Sequence, residues 1–208
     1  DWRTYEVTRW VGLAMFVVQG LGGFLIANSI RFGWADEQGD FDTLVAELLK
    51  RDTGLRLSIS YTTRAPREGE ADGREYHFVQ AAEFERMIAA GEFLEHALVH
   101  GNHYGTSRRW IERELEGDHD VLLEIDWQGA AQVRRIFPHL VGMFILPPSL
   151  EELRRRLQGR GKDAPETIAR RIAGAREEIS HVLEFEYIIV NDRFEQALGE
   201  IQSVVRAA

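Results

Sequence analysis

Three short runs most constrain the fold of this chain: Val121-Leu122-Leu123-Glu124-Ile125-Asp126, Val141-Gly142-Met143-Phe144-Ile145-Leu146 and Tyr187-Ile188-Ile189-Val190. Each is apolar at nearly every position. A strand with one face in water alternates, whereas a strand covered by helices on both faces does not, so these runs predict a largely parallel sheet inside an α/β fold. The intervening segments fit that plan, with helices expected over residues 129–137, 149–157, 165–185 and 194–205. Ser149 is placed as an N-cap, with Glu151 and Glu152 in the first turn. Upstream, Leu44, Val45, Leu48 and Leu49 lie on one helical face, Thr53-Gly54 closes that helix, and a strand over residues 55–60 follows.

From Thr62 to Ser107 the rhythm changes. Tyr76-His77-Phe78-Val79 and Phe93-Leu94-Glu95-His96-Ala97-Leu98-Val99 alternate polar with apolar residues around a short helix over residues 82–90, as a small antiparallel insert would. No internal repeat or low-complexity linker separates a second unit. The chain reads as one domain of 208 residues.

The N-terminal part is different. Residues 11–30 carry no charge, and Arg9, Trp10, Arg31 and Trp34 flank them. Length and flanking tryptophans satisfy the minimum for a membrane-spanning helix. The competing reading makes residues 14–18 the first buried strand and Gly20-Leu21-Gly22-Gly23 a degraded phosphate loop; a segment foreign to the rest of the chain is the third. A secretory signal is not expected, because no basic n-region and no clear small-residue cleavage site accompany the run.

A formal net charge of −9 argues against non-specific nucleic-acid binding, which needs a basic surface. With no cysteine there is no disulfide framework and no thiolate site, in keeping with the cytosol. The seven histidines show no metal-ligand spacing on a shared helix face, so no direct metal ligand is expected.

One irregular segment concentrates phosphate chemistry. Thr62-Thr63-Arg64-Ala65-Pro66-Arg67-Glu68-Gly69-Glu70 is followed by Asp72-Gly73-Arg74-Glu75-Tyr76. Arginine forks bind phosphate bidentately and a tyrosine hydroxyl adds a neutral donor. Gly101-Asn102-His103-Tyr104-Gly105-Thr106-Ser107, Glu124-Ile125-Asp126-Trp127-Gln128-Gly129, Gly159-Arg160-Gly161 and Ile189-Val190-Asn191-Asp192 follow in that order. With these motifs the chain resembles the guanylate kinases, from about Thr43 to Arg206.

The resemblance implies a P-loop kinase-type fold: a parallel five-stranded sheet flanked by helices, a small antiparallel GMP-binding insert and a helical lid. It divides the chain into an atypical segment (1–41), a core (42–61, 108–150 and 173–208), the insert (62–107) and the lid (151–172). It implies phosphoryl transfer from ATP to GMP, with Mg2+ accompanying the nucleotide. Arg64, Arg67, Tyr76 and Tyr104 match the family's phosphate grip. Glu95 matches its guanine-reading carboxylate, although a strand glutamate taken alone reads as an outward-facing charge. Thr106 or Ser107 would donate to the base O6, Ser60 would add a base contact, and Glu124 would orient ribose or base. Asp126 would hold a water of the Mg2+ shell. Arg160 and Arg171 match the lid arginines, with Arg156 and Arg170 as neighbours, and Asn191, with Arg156 nearby, would meet ATP.

One element departs from the family. The phosphate loop G-x-x-x-x-G-K-[ST] carries a lysine that reaches the transferred phosphate. Opposite its last residues stands Asp40-Phe41-Asp42-Thr43-Leu44-Val45, and the only lysines are Lys50 and Lys162. A catalytically impaired module binding GMP or a phosphopeptide, or an anchored form held through residues 11–30, is the alternative that this departure raises.

Overall fold

The computed structural model describes residues 13–17, 24–28, 41–117, 119–159 and 165–207. Its larger sheet holds six strands: β1 (Leu13–Val17), β2 (Phe24–Asn28), β3 (Leu55–Leu57), β8 (Asp120–Glu124), β9 (Val141–Leu146) and β10 (Tyr187–Val190). Their order is β10-β9-β1-β2-β8-β3, with β9 also paired to β2. Parallel registers link β10 to β9, β9 to β2, β2 to β8 and β8 to β3. Five strands therefore run one way, and β1 is an antiparallel sixth.

That arrangement corrects the reading of the N-terminal run. The strand expected over residues 14–18 is present as β1, but the parallel strand that precedes the first helix is β2, which was not foreseen. A run with no charge between residues 11 and 30 offers few internal boundaries. The four-residue glycine-rich stretch falls between two strands instead of before a helix, and it lies outside the described residues. So do Asp40 and the flanking tryptophans. The described parts of residues 11–30 are strands, and among the described residues no helix is long and apolar enough to cross a membrane.

Helices α1 (Phe41–Arg51), α4 (Trp127–Ile136), α5 (Leu150–Gly159), α6 (Pro165–Ser180) and α7 (Phe194–Ala207) accompany this sheet. Leu44 and Leu48 of α1, Val121 to Leu123 of β8, Met143 to Ile145 of β9, and Leu198 and Ile201 of α7 are fully buried in one cluster. Each such leucine contributes on the order of 2 kcal/mol of transfer free energy. Ser149 caps α5, its hydroxyl accepting from the Glu152 backbone N–H at 3.0 Å. The long helix expected over residues 165–185 stops at Ser180, and a 3-10 turn covers Val182–Glu184.

The insert forms a second sheet from β4 (Tyr61–Thr62), β5 (His77–Phe78), β6 (Phe93–Val99) and β7 (Asn102–Ser107), in the order β5-β4-β7-β6. It is not wholly antiparallel, because β4 and β5 run in parallel. Helix α2 (Ala81–Ala89) covers one side through Phe84 and Met87, which pack with Phe93. Helix α3 (Arg108–Glu116) leads back to β8, with Ser107 accepting from the Trp110 backbone N–H as its N-cap.

Candidate functional site

The two sheets share a cleft of about 430 Å³, a size suited to a small ligand. Ser60, Arg64, Arg67, Tyr76, Glu95 and Tyr104 line it from the insert side, Glu124 and Asp126 from the end of β8, and Arg170 and Arg171 from α6. Of the residues singled out in the sequence, these are the ones brought together.

The arginine end is built by threonines. The Thr62 hydroxyl donates to the His103 carbonyl at 3.0 Å and accepts from the Arg64 backbone N–H at 3.1 Å. Thr63 Oγ1 accepts from the His103 N–H at 2.9 Å. The loop after β4 is thereby tied to β7. Glu70, which sequence reasoning quoted without giving it a role, fixes what the loop presents. Its Oε1 accepts from Arg64 Nη2 at 2.8 Å and its Oε2 from the Arg67 backbone N–H at 2.7 Å. Burial pushes the Glu70 carboxyl up, but the Arg64 and Arg67 hydrogen bonds and charges outweigh it and leave the group below its ordinary value. Arg64 also lies over the Tyr76 ring at 5.2 Å, and the Tyr76 and Tyr104 rings meet edge to face at 5.7 Å. The Phe78 ring lies 5.6 Å from the same guanidinium, so two aromatic rings, Tyr76 and Phe78, pack against it.

The lining also carries buried carboxyl groups. A bulge between Phe93 and Glu95 shifts the β6–β7 register, and Phe93, Leu94 and Glu95 are all buried in succession. That is why Glu95 does not point outward, as simple alternation would allow. It is 3% exposed. Thr106, directly opposite on β7 and fully buried, donates its hydroxyl proton to Glu95 Oε1 at 2.6 Å. Burial drives the Glu95 carboxyl up to about 8; the Thr106 hydrogen bond opposes the rise and the nearby Asp126 charge adds to it.

A hydroxyl has a single proton, and that of Thr106 is committed to Glu95, while Ser107 Oγ accepts at the start of α3. The Thr106 proton is thus taken up by Glu95, whereas Ser107, an acceptor there, keeps its own proton, and neither residue is part of the cleft lining.

Asp126 is the N-cap of α4, a role not assigned from sequence. Its Oδ1 accepts from the Gly129 N–H at 2.9 Å and its Oδ2 from Gln128 Nε2 at 2.8 Å. Burial raises its carboxyl despite those bonds. Among the described residues no group of three or more His, Asp and Glu side chains is arranged to hold a metal ion. Glu124 and Asp126 nevertheless bring two hard carboxylates to the cleft, the donor type Mg2+ takes together with water and phosphate oxygens.

The remaining candidates lie elsewhere. Arg156 and Asn191 are buried and absent from the cleft lining; Arg156 donates to Glu152 Oε1 at 2.6 Å and to the Asn191 carbonyl at 3.4 Å. The Asn191 side-chain nitrogen finds no partner among the described residues. Arg160 and Lys162 lie outside the described residues. Lys50 sits on the last turn of α1, exposed and paired with Glu47, and reaches no part of the cleft. The cleft therefore brings arginines and buried carboxyl groups into one lining, suited to a ligand that carries both an anionic group and hydrogen-bond donors.

Comparison with known proteins gives the same direction. The family model described as guanylate kinase matches residues 38–208. Over 166 residues the chain is 60% identical to the guanylate kinase of Dechloromonas aromatica (strain RCB), covering 80% of this chain and 82% of that one. It is 57% identical over 166 residues to that of Aromatoleum aromaticum, covering 80% and 81%. The crystal structure of guanylate kinase from Anaplasma phagocytophilum matches 80% of each chain with a TM-score of 0.69 and 40% identity.

Proposed function

Because the chain belongs to the guanylate kinase family, we propose that it transfers the terminal phosphoryl group of ATP to GMP, giving ADP and GDP, with the cleft as its GMP site. The observation that carries the site assignment is that Arg64, Arg67, Tyr76 and Tyr104 line one cavity together with the buried Glu95.

The GMP phosphate is held by the Arg64 and Arg67 forks and the two tyrosine hydroxyls. Guanine offers an N1–H and an exocyclic amino group on one edge, two donors that a carboxylate accepts together; adenine has no such edge. Glu95 is that acceptor, held by Thr106, and Ser60 and Glu124 line the same cavity as further base or ribose contacts. Residues 62–107 act as the GMP-binding insert and residues 151–172 as the lid.

Phosphoryl transfer asks the protein to position two oxygens in line and to neutralise charge spread over the phosphoryl group. Arg171, from the cleft wall, and Arg160 supply that neutralisation, and Asn191 with Arg156 serve the ATP side. Mg2+, entering with ATP, supplies charge neutralisation between the phosphates when bound. Asp126, fixed at both oxygens by the first turn of α4, would hold such an ion through one of its waters. The reaction runs in the cytoplasm, where ATP and GMP are both found, and the net charge of −9 supports small nucleotides rather than nucleic acid as partners.

Calorimetric titration of the full chain with GMP and with AMP tests the site. Binding of GMP well above AMP, eroded in Glu95→Gln, is expected, since the amide replaces one acceptor by a donor facing the guanine amino group. Equal affinities would overturn it.

A further inference from the structure

The open edge of β6 is closed by a side chain. β6 is the outermost strand of the insert sheet, so one row of its backbone groups has no strand partner. At His96, next to Glu95, Gln132 of α4 fills that row. Its Nε2 donates to the His96 carbonyl at 2.8 Å and its Oε1 accepts from the His96 N–H at 3.2 Å. One amide thus takes the place of a neighbouring strand, in the geometry a backbone peptide would use.

One turn earlier on the same helix, Gly129 meets the Glu95 side chain. A methyl group added at Gly129 would stand 2.5 Å from Glu95 Oε2 and 3.1 Å from its Cδ, closer than carbon atoms pack. The neighbouring atom there is a buried carboxylate that Thr106 already holds from the other side. Glycine in a helix is ordinarily a weakness relative to alanine. Here the missing methyl is the space the carboxylate occupies.

We propose that α4 is the gauge that sets where the Glu95 carboxylate stands, with Gly129 and Gln132 as positioning residues for guanine selectivity. Gln132 fixes the height of β6 along the helix, Gly129 sets how closely the carboxylate approaches it, and Thr106 closes the third side. The inference rests on Glu95 being the guanine reader. It places determinants of selectivity on the core helix, outside the insert that carries Glu95.

The test is titration of the full chain and its variants with GMP and AMP, with thermal unfolding recorded for each. Gly129→Ala is expected to lower the GMP-to-AMP affinity ratio by roughly tenfold or more, as misplacement of a buried polar partner does. Gln132→Leu, which keeps the bulk and removes both hydrogen bonds, is expected to lower it as well. The combination Gly129→Ala with Glu95→Asp withdraws the carboxylate by one methylene and should cost less than the sum of the two single changes. If Gly129 served only the helix, alanine would raise the melting temperature and leave the ratio unchanged, and that result would overturn the inference. Additive effects in the double variant would overturn it too. Glu95→Gln, run in parallel, separates the two levels. If it abolishes selectivity while Gly129→Ala and Gln132→Leu do not, the gauge alone fails; if it changes nothing, the guanine reading and the gauge fall together.

Discussion

Glu70 holds Arg64 at 2.8 Å, and with its second oxygen it takes the backbone N–H of Arg67. One carboxylate therefore holds the Arg64 guanidinium and the Arg67 backbone in place before any ligand arrives. Ordering long side chains in advance removes a cost that binding would otherwise carry, about 0.5–1.5 kcal/mol for each.

Replacing Glu70 by alanine is accordingly expected to weaken GMP binding by roughly tenfold through a disordered Arg64, although it removes a negative charge from the phosphate end. Electrostatics alone predicts the opposite sign. Tighter GMP binding in the Glu70→Ala titration would show that neutralisation, not preorganisation, is what Glu70 supplies.

The raised Glu95 carboxyl gives two pH signatures. Its folded value, about 8, lies above the ordinary 4.5, so the folded protein holds a proton that the unfolded chain has released between those limits. Stability of the ligand-free protein from this group is therefore present in full below about 4.5 and falls as pH rises towards 8. Denaturant melts across this range should show the slope in the parent and a flatter line in Glu95→Gln.

Guanine donors need the ionised carboxylate, so GMP binding near neutral pH should release on the order of one proton from Glu95. Calorimetry in two buffers of different ionisation enthalpy reads this directly. A buffer-independent enthalpy in the parent chain, or an identical buffer dependence in Glu95→Gln, would contradict it.

Thr106→Val keeps the shape and removes the hydroxyl that donates to Glu95 Oε1. The carboxyl should rise further and the preference for GMP over AMP should drop by roughly tenfold or more, in line with a hydrogen bond to a charged group of about 1.5–3 kcal/mol. Serine at the same position retains the donor and should restore most of the preference.

Neither lysine occupies the place that a phosphate loop would give it: Lys50 is paired at the far end of α1, and Phe41 stands opposite the family's lysine. With arginines alone proposed to neutralise the transferred phosphoryl group, turnover is expected to be low. Installing a glycine-rich loop ending in Gly-Lys-Ser ahead of Thr43 should raise it by roughly 10³-fold, as regained contact with developing charge would. A coupled assay already giving about 1–100 turnovers per second for the parent would refute this.

Local patterns carried most of the architecture. The apolar runs at β8, β9 and β10 announced covered parallel strands, and the threonine-arginine segment announced phosphate chemistry, because each signal lies within a few consecutive residues. What escaped depends on pairing across the fold. The target of the Thr106 proton is set by register with Glu95 eleven residues away, and the seat of Gln132 is set by where α4 lies against β6. Helix α3 is hard to read from sequence because Trp110, Ile111 and Leu115 alone mark its apolar side amid charges. The cap at Asp126 was legible, since an aspartate at a strand-to-helix junction is an N-terminal signal, but the functional reading of the same residue displaced it.

Strand β7 carries Tyr104 and Thr106 on one face, while His103 just before them anchors Thr62 and Thr63. Gly105 cannot take a side chain, since Phe84 and Phe93 lie within 3.0 Å of where its methyl would be. A slip of β7 by one residue would turn both side chains to the wrong face and drive a bulky group into those rings. Grip on the phosphate and choice of the base therefore share one point of failure. A protein built this way has no easy intermediate in which it holds nucleotides firmly yet indiscriminately, and damage to this strand costs it recognition as a whole.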